Sequence, residues 1–201
     1  MEPLFHLFDS IRPLSPELRA YLLNHLLTIE FKKKTTILKT GQIANRIYFI
    51  EKGLVRSVRQ EAGKERTAWF MQEGDIIISV ESFFTQEPSL EIIEALEPCL
   101  THSINREELY KAYELFPEFN LHRALILERY YAQSEARARI KQMKAKDKFQ
   151  HLIFTQPNLV NRVPDRLLAS YLGITPGTYS FEKNRFARQE KMKNSKRTIT
   201  S

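Results

Sequence analysis

The sequence predicts an α+β fold in which an N-terminal antiparallel β-roll is followed by a long helix and a C-terminal helix-turn-helix. Short alternating segments separated by glycines fill residues 28–104, an apolar repeat of helical period fills residues 117–143, and a helix–glycine–helix pattern fills residues 161–187. Evenly spaced short strands with turn glycines are typical of an antiparallel sandwich or barrel. The sequence has no βαβ rhythm, which argues against a Rossmann fold.

The composition of the 201 residues excludes several classes of protein. The sequence has no apolar run of the ~20 residues that a membrane span needs, and its N-terminus lacks the basic region of a signal peptide. Its single cysteine, Cys99, excludes an internal disulfide and a cysteine-ligated metal cluster. We therefore expect a cytoplasmic protein with no membrane partner, no metal site and no bound cofactor.

Motifs of common enzymes are not found in the sequence. It has no glycine-rich phosphate loop, no G-x-S-x-G and no H-E-x-x-H. Asp75 and Glu81 could form a carboxylate pair, but Gly74-Asp75 is more simply a turn between strands. We expect no catalytic residues.

Positive charge is concentrated in the second part of the sequence. Residues 1–116 hold 14 Lys/Arg against 17 Asp/Glu, a net charge of −3, whereas residues 117–201 hold 17 against 7, a net charge of +10. Such asymmetry is typical of a domain that binds a polyanion. Part of the excess lies in the terminal KMKNSKRTITS, for which we predict a flexible basic tail that touches backbone phosphates.

Local patterns give the order of the elements before the long helix. We predict helical structure over residues 3–27, with a start signal at Ser15 and Pro16, and a later helix capped by Asn105. Between these helices, eight segments have strand patterns: TIEFKKK, TTILK, RIYFIEK, LVRSVRQ, RTAWFMQ, DIIIS, LEIIEAL and LTHSI.

The long helix is predicted to start at Pro117 and to run to about Met143. Its apolar residues recur near a 3.5-residue period and form a weak coiled-coil seam, interrupted by Glu128. The seam consists of Leu121, Leu125, Ala132, Ala136, Ile140 and Met143. It either packs on the strand domain or pairs with its copy in a second chain, and we expect both, giving a homodimer. A further helix over residues 145–154 and a break at residues 156–158 follow.

The segment Asn161–Ala187 has the pattern of a helix-turn-helix. Gly173 suits the turn, because glycine tolerates the left-handed conformation of a helix end, and Thr175 suits the N-cap of the second helix. Ala169 and Tyr179 lie where a small residue lets two helices approach and where a buried residue packs them together.

The second helix carries side chains of the types that contact phosphates and base edges in the DNA major groove. The candidate DNA-binding residues are Thr175, Thr178, Tyr179, Ser180, Lys183, Asn184, Arg185 and Arg188. Helical hairpins without a DNA-binding function also carry a corner glycine and outer lysines, so the motif alone leaves both interpretations open.

The order of β-roll, long helix and helix-turn-helix resembles the cyclic-AMP receptor protein/fumarate-nitrate regulator (Crp/Fnr) family of bacterial transcription factors. The resemblance is carried by Gly41, by IYFIEKG at residues 47–53, by GDII at residues 74–77, and by RVP and ASYLGITP within residues 162–176.

The resemblance implies that the chain is divided into three parts. These are a cyclic-nucleotide-binding-like jelly roll over residues 1–116, a dimerisation helix over residues 117–144 and a helix-turn-helix DNA-binding domain over residues 145–201. It implies a sequence-specific transcription regulator that binds double-stranded DNA as a homodimer joined through residues 117–143. RNA polymerase and a small-molecule effector are the further partners that it suggests.

This sequence departs from the pattern of the family's cyclic-nucleotide cassette. Counted without gaps from Gly74, its phosphate-approaching glycine becomes Ile78, its ribose-binding glutamate becomes Ser79 and its phosphate-binding arginine becomes Ser89. Loss of the arginine removes a charge-assisted contact, so we predict that neither cyclic AMP nor cyclic GMP binds. The resemblance implies an effector pocket lined by Ile78, Ser79, Glu81, Ser82, Ser89 and Glu91, with Tyr130 and Tyr131 either closing it or simply packing.

The recognition helix departs from the family as well. Relatives usually carry an arginine after the serine, whereas here Ser180 is followed by Phe181 and Glu182. Phe181 cannot hydrogen-bond a base edge, and phosphate repels Glu182 unless Glu182 accepts a bond from a cytosine amino group. Either the cations that follow take over these contacts, or the motif has decayed and the β-roll is a ligand-binding or protein-interaction module.

Overall fold

The computed structural model describes residues 1–61 and 63–199, and from residue 191 to residue 199 the backbone alone. The chain consists of two compact units, residues 1–132 and the residues from 133 onward. The boundary between the two units lies inside the long helix. The first half of that helix packs on the N-terminal unit, through residues that include Phe119 and Tyr130.

The N-terminal unit begins with two helices, α1 (Glu2–Ile11) and α2 (Pro16–His25). The predicted helical region therefore contains a break, at Arg12–Ser15. The start signal predicted at Ser15 is confirmed, because the Ser15 hydroxyl accepts a hydrogen bond from the Leu18 amide at 3.3 Å.

All eight segments predicted as strands contain one. The strands are β1 (Leu27–Phe31), β2 (Thr36–Leu38), β3 (Arg46–Lys52), β4 (Val55–Glu61), β5 (Lys64–Met71), β6 (Ile76–Ile77), β7 (Glu91–Ala95) and β8 (Cys99–Asn105). Within the described residues they form two four-stranded sheets, of order β1-β8-β3-β6 and β2-β7-β4-β5. The pairings between neighbouring strands are antiparallel, as expected for a β-roll.

Gly53 makes the tight connection between β3 and β4. Its φ is +116°, and a Cβ at this position would lie 2.6 Å from the Cys99 sulfur and 2.7 Å from the Pro98 carbonyl oxygen. Both the conformation and the space therefore require glycine. The Gly53 amide donates to Glu73 at 2.8 Å, which ties this corner to the loop before β6.

Apolar side chains of the N-terminal unit form two clusters. One contains Ile50, Val55, Met71, Ile77, Ile93, Ala95 and Cys99, which come from strands of both sheets. The other joins helices to the roll and includes Phe8, Leu18, Leu22, Phe49, Phe83, Ile104 and Phe119. Burial of these residues is the main favourable term that holds the unit together.

Three more helices belong wholly or partly to the N-terminal unit. They are α3 (Val80–Thr85), α4 (Arg106–Leu115) and α5 (Phe119–Gln142). The cap predicted for α4 is confirmed, because the Asn105 side chain accepts from the Glu108 amide at 2.7 Å. The six-residue α3 was not predicted, and its lack of a full helical apolar repeat explains why the pattern missed it.

Helices make up the described C-terminal unit. They are the end of α5, α6 (Ala145–Thr155), α7 (Pro157–Arg162), α8 (Asp165–Leu172) and α9 (Pro176–Ile199). The break predicted at residues 156–158 is only one residue long, because α7 starts at Pro157. The missing N–H of proline costs nothing at this first helical position. The tail predicted as flexible from Lys191 is also corrected, since α9 continues to Ile199. The side chains of that tail and its last two residues lie outside the described residues.

Candidate nucleic-acid interface and effector pocket

The turn between α8 and α9 has the geometry that the sequence predicted. Gly173 adopts a φ of +65°, and the Ile174 amide donates to the Ala169 carbonyl at 3.0 Å, which closes the end of α8 as in a Schellman motif. Thr175 caps α9, because its hydroxyl accepts from the Thr178 amide at 3.1 Å.

Residues that pack α8 against α9 are completely buried. Ala169 and Tyr179 have no exposed surface, and the Tyr179 ring meets the Phe149 ring edge-on with 5.2 Å between centroids. The small residue and the buried residue predicted from the sequence therefore lie where a helix-turn-helix needs them. The turn and this packing fix the direction in which α9 presents its outer side chains.

Tyr179 was also placed among the candidate DNA contacts, and its burial corrects that assignment. Burial, with a smaller contribution from the Asp165 carboxylate, raises the pKa of Tyr179 to about 12. Its hydroxyl has no hydrogen-bond partner among the described residues. A side chain with no exposed surface supports the helix but cannot read a base.

The outer face of α9 can be derived from helical geometry. Each residue turns the helix by about 100°, so residues 177, 181, 184 and 188 lie opposite the buried Tyr179. This outer face, defined by Gly177, Phe181, Asn184 and Arg188, is exposed at every position, as is Ser180 at its edge. Thr175 is exposed and Thr178 half-buried, and both lie beside it at the start of the helix.

Two of the candidate cations have acidic partners in the same unit. The Lys183 ammonium lies 2.9 Å from both carboxylate oxygens of Asp165 at the start of α8. The Arg185 guanidinium lies 3.5 Å from Glu182, which is nearly buried. Glu182 therefore points towards the interior side of α9 and neutralises Arg185, a contact that the sequence pattern did not reveal.

Two further cations lie buried beside the turn. The Arg137 guanidinium stacks on the Tyr171 ring at 3.5 Å and donates to the Tyr171 carbonyl at the end of α8. The Lys148 ammonium is 4.0 Å from the point where a Cβ on Gly173 would lie. Burial, and then the charge of Arg137, lower the pKa of Lys148. Cations interact favourably with the partial negative charge at a helix C-terminus, so Arg137, which donates to the Tyr171 carbonyl, supports the turn electrostatically.

The residues predicted to line an effector pocket bond mainly to each other and to nearby backbone. The Ser79 and Ser89 hydroxyls are both buried and lie 3.1 Å apart. The Ser89 hydroxyl also donates to the Glu91 carbonyl at 3.0 Å and accepts from the Glu91 amide at 3.2 Å. The two positions that correspond to the family's ribose and phosphate contacts are thus joined to one another.

The remaining pocket candidates divide into buried and exposed ones. The Ser82 hydroxyl is buried, accepts from the Ala44 amide at 2.9 Å and donates to the Glu87 carbonyl at 2.6 Å. Ile78 is half-buried against the helical cluster, whereas Glu81 is exposed on α3. Glu81 therefore faces solvent, whereas the three serines are buried.

Glu91 lies at the edge of the serine group and is paired with a cation. Its carboxylate is buried, with 5% of the residue exposed, and lies 3.6 Å from the Arg59 guanidinium on β4. The expected repulsion of an anion by Glu91 is therefore reduced by Arg59.

Tyr130 and its neighbour Tyr131 have different environments. The Tyr130 hydroxyl donates to the Ile76 carbonyl on β6, and burial raises the pKa of Tyr130. Tyr131 is exposed. Tyr130 therefore fastens the first half of α5 to the roll, beside Asp75, and Tyr131 does not.

The described part of the chain shows neither a metal-binding cluster nor a membrane-spanning helix. It contains no group of three or more histidine, cysteine and acidic side chains placed to hold a metal ion. None of its helices combines the length and the apolar character that crossing a membrane requires.

Comparisons with known proteins agree with this architecture. The family model of the cyclic nucleotide-binding domain matches residues 28–115. No curated protein sequence gives a significant match.

Solved structures with a similar fold cover most of the chain. FixK2 from Bradyrhizobium japonicum is 17% identical, with 82% of this chain and 86% of that chain covered and a TM-score of 0.71. CLP from Xanthomonas campestris, a c-di-GMP-responsive global regulator, is 16% identical, with coverages of 88% and 93% and a TM-score of 0.68. The catabolite activator protein of Thermus thermophilus is 18% identical, with coverages of 94% and 88% and a TM-score of 0.55. The predicted fold class is confirmed.

Proposed function

We propose that this chain, which has the fold of the Crp/Fnr regulators and carries a cyclic nucleotide-binding domain, is a sequence-specific DNA-binding transcription regulator. The resemblance predicted from the sequence is confirmed by the domain match and by the structural neighbours. The observation that carries the DNA-binding proposal is the α8–turn–α9 arrangement. Its capped turn and buried Tyr179 present an exposed polar and cationic face of a helix.

Charge supports DNA as the partner. Residues 117–201 carry a net charge of +10, and phosphate contacts from lysine and arginine supply most non-specific affinity for DNA. Asn184 and Arg188 are exposed on the outer face of α9 and are free to turn towards a base or a phosphate. Lys183 and Arg185 would have to exchange Asp165 and Glu182 for DNA, so we expect their contributions to be smaller.

A homodimer joined through residues 117–143 is part of the proposal. Leu121 and Leu125 on α5 are 40% and 39% exposed in the single chain, although both are large apolar residues. They lie four residues apart and start the seam that the sequence predicted. Pairing of two copies would remove this surface from water.

The proposal includes an effector that acts on the β-roll. The joined hydroxyls of Ser79 and Ser89 support our expectation that cyclic AMP does not bind, and any effector would have to be of a different chemistry. We place the regulator in the cytoplasm, where it would act on DNA together with RNA polymerase.

Binding to DNA can be tested by fluorescence anisotropy with a labelled duplex over a series of salt concentrations. We expect the logarithm of the association constant to fall linearly with the logarithm of salt concentration, by about 0.9 for each phosphate neutralised. Arg188→Ala should reduce this slope by about one, while Arg19→Ala, in the N-terminal unit, should not. Absence of salt-dependent binding would contradict the proposal.

The homodimer can be tested by sedimentation velocity with two matched variants. Leu125→Glu places a charge in the seam and should give monomers. Leu127→Glu changes a leucine of the same exposure, 40%, that lies about 200° further around the helix, and should leave the dimer intact. Two dimeric variants, or a monomeric unmodified protein, would contradict dimerisation through this seam.

A further inference from the structure

A large aromatic side chain occupies the middle of the outer face of α9. Phe181 is 63% exposed, while Tyr179, two residues earlier, and Glu182, the next residue, are buried. It makes no ring contact with another aromatic residue in the part of the chain that has side chains described. Most of the Phe181 side chain therefore faces solvent rather than the interior of this unit.

The residues next to Phe181 on the helix surface are polar or cationic, or have no side chain. Residues three, four and seven positions later are its surface neighbours, and these are Asn184, Arg185 and Arg188. Gly177, four positions earlier, has no side chain. An isolated apolar ring surrounded by such groups differs from an apolar patch that would bind a hydrophobic protein surface.

Gly177 leaves space in front of the ring. A Cβ on Gly177 would have the Thr175 hydroxyl at 3.9 Å as its nearest neighbour, so no contact inside the protein requires glycine there. Gly177 is the second residue of α9, and glycine is less favourable than alanine within a helix. Close approach of a partner along this face accounts for a residue that the fold itself does not need.

The chemistry of the major groove offers one good partner for a phenylalanine ring. A hydrocarbon ring cannot hydrogen-bond to a base edge. The 5-methyl group of thymine, however, is apolar and projects into the groove. We propose that Phe181 is a specificity-determining residue that packs on a thymine methyl group when α9 lies in the major groove. This inference rests on the proposed DNA-binding function and names one of its contacts.

Deoxyuridine provides the direct test, because it lacks only the methyl group of thymine and keeps every hydrogen-bonding edge. The duplex is the site recovered by selection from a random library with the full-length protein. Each thymine of one half-site is replaced in turn, and affinities are measured for the unmodified protein, Phe181→Ala and Phe181→Leu. The exposure of Phe181 means that these variants should fold normally, which circular dichroism verifies.

We expect replacement of one thymine, or two adjacent ones, to weaken binding of the unmodified protein by about 3- to 10-fold, the order of one apolar group removed from water. Phe181→Ala should bind the thymine site as weakly as the unmodified protein binds the deoxyuridine site, and should not respond to the replacement. Phe181→Leu should keep part of the response.

The outcomes separate this inference from the function on which it rests. Equal losses from Phe181→Ala on thymine and deoxyuridine duplexes at every position would overturn the methyl contact while leaving DNA binding intact. No loss at all from Phe181→Ala would overturn it as well, and would leave the ring free for a protein partner. Recovery of no enriched sequence would overturn both.

Discussion

The hydroxyl groups of Ser79 and Ser89 lie 3.1 Å apart in the interior of the β-roll. In the Crp/Fnr resemblance these positions correspond to the groups that bind the ribose and the phosphate of a cyclic nucleotide. Here they bind each other, and no guanidinium stands at Ser89 to pair with a phosphate. The cyclic nucleotide-binding domain model matches this region, and we expect the chemistry of its cassette to differ from that of a cyclic-nucleotide binder.

Cyclic AMP and cyclic GMP are therefore expected not to bind at physiological concentrations. Titration with a fluorescent cyclic nucleotide should show no saturable signal, because the charge-assisted arginine contact is missing. Competition with the unlabelled nucleotide is the control that separates pocket binding from adsorption of the dye. Micromolar affinity that the unlabelled nucleotide competes away would contradict this expectation.

Ser82 is expected to be structural and Glu81 dispensable for stability, although both belonged to the predicted pocket. Ser82→Ala leaves the buried Ala44 amide without its acceptor, and an orphaned buried donor costs about 1–3 kcal/mol. Glu81→Ala, at the exposed position beside it, should change stability by less than about 0.5 kcal/mol. Urea unfolding followed by fluorescence of Trp69, which lies on β5, measures both; equal effects would contradict the assignment.

Asp165 is expected to restrain DNA binding by holding Lys183. Asp165→Asn releases the ammonium that now contacts both carboxylate oxygens at 2.9 Å. The exposed pair contributes only about 0–1 kcal/mol to stability, so the variant should fold. It should bind DNA more tightly, with a salt slope steeper by about one.

Asp147→Asn, which changes the net charge equally at an exposed position of α6, is the control for that variant. The assignment fails if Asp147→Asn tightens binding as much. It also fails if Asp165→Asn has the same effect when Lys183 is already alanine.

The buried Lys148 is expected to destabilise the C-terminal unit at neutral pH. Its pKa is lowered by burial and by Arg137, so the folded chain holds this proton less tightly than the unfolded chain does. Stability should therefore rise with pH between the lowered folded pKa and the usual lysine value of about 10.4.

Lys148→Met should stabilise the unit at neutral pH, and its advantage should shrink as the pH rises through that range. Lys146→Met, at an exposed position of α6, should have little effect. Denaturant unfolding at neutral and alkaline pH gives the comparison. A destabilised Lys148→Met protein, or an advantage independent of pH, would contradict the prediction.

Local sequence patterns were sufficient for the fold and for the turn of the candidate site. Glycine at 173, a small residue at 169 and an aromatic residue at 179 each have one physical role in a helix pair, and the structure gives them those roles. The eight strands followed from alternation and from turn glycines, which are the local signals of short antiparallel strands.

Contacts between elements could not be derived in the same way. The Lys183–Asp165 pair joins residues 18 positions apart, and a sequence pattern gives no sign of which outer cation meets which acid. Tyr179 was assigned both to the core and to the interface, and only its burial decides between them. The short α3 and the serine bonds around it likewise depend on packing that periodicity does not describe.

Selection of bound sequences from a random duplex library, with purified ligand-free protein and competitor DNA near physiological salt, tests the central claim most directly. A homodimer that presents two copies of α9 should enrich a two-fold symmetric motif with half-sites about one helical turn apart. Such a motif would also show that no effector is required. Enrichment of no sequence, or of an asymmetric one that a monomeric Leu125→Glu variant binds equally well, would contradict the dimeric regulator.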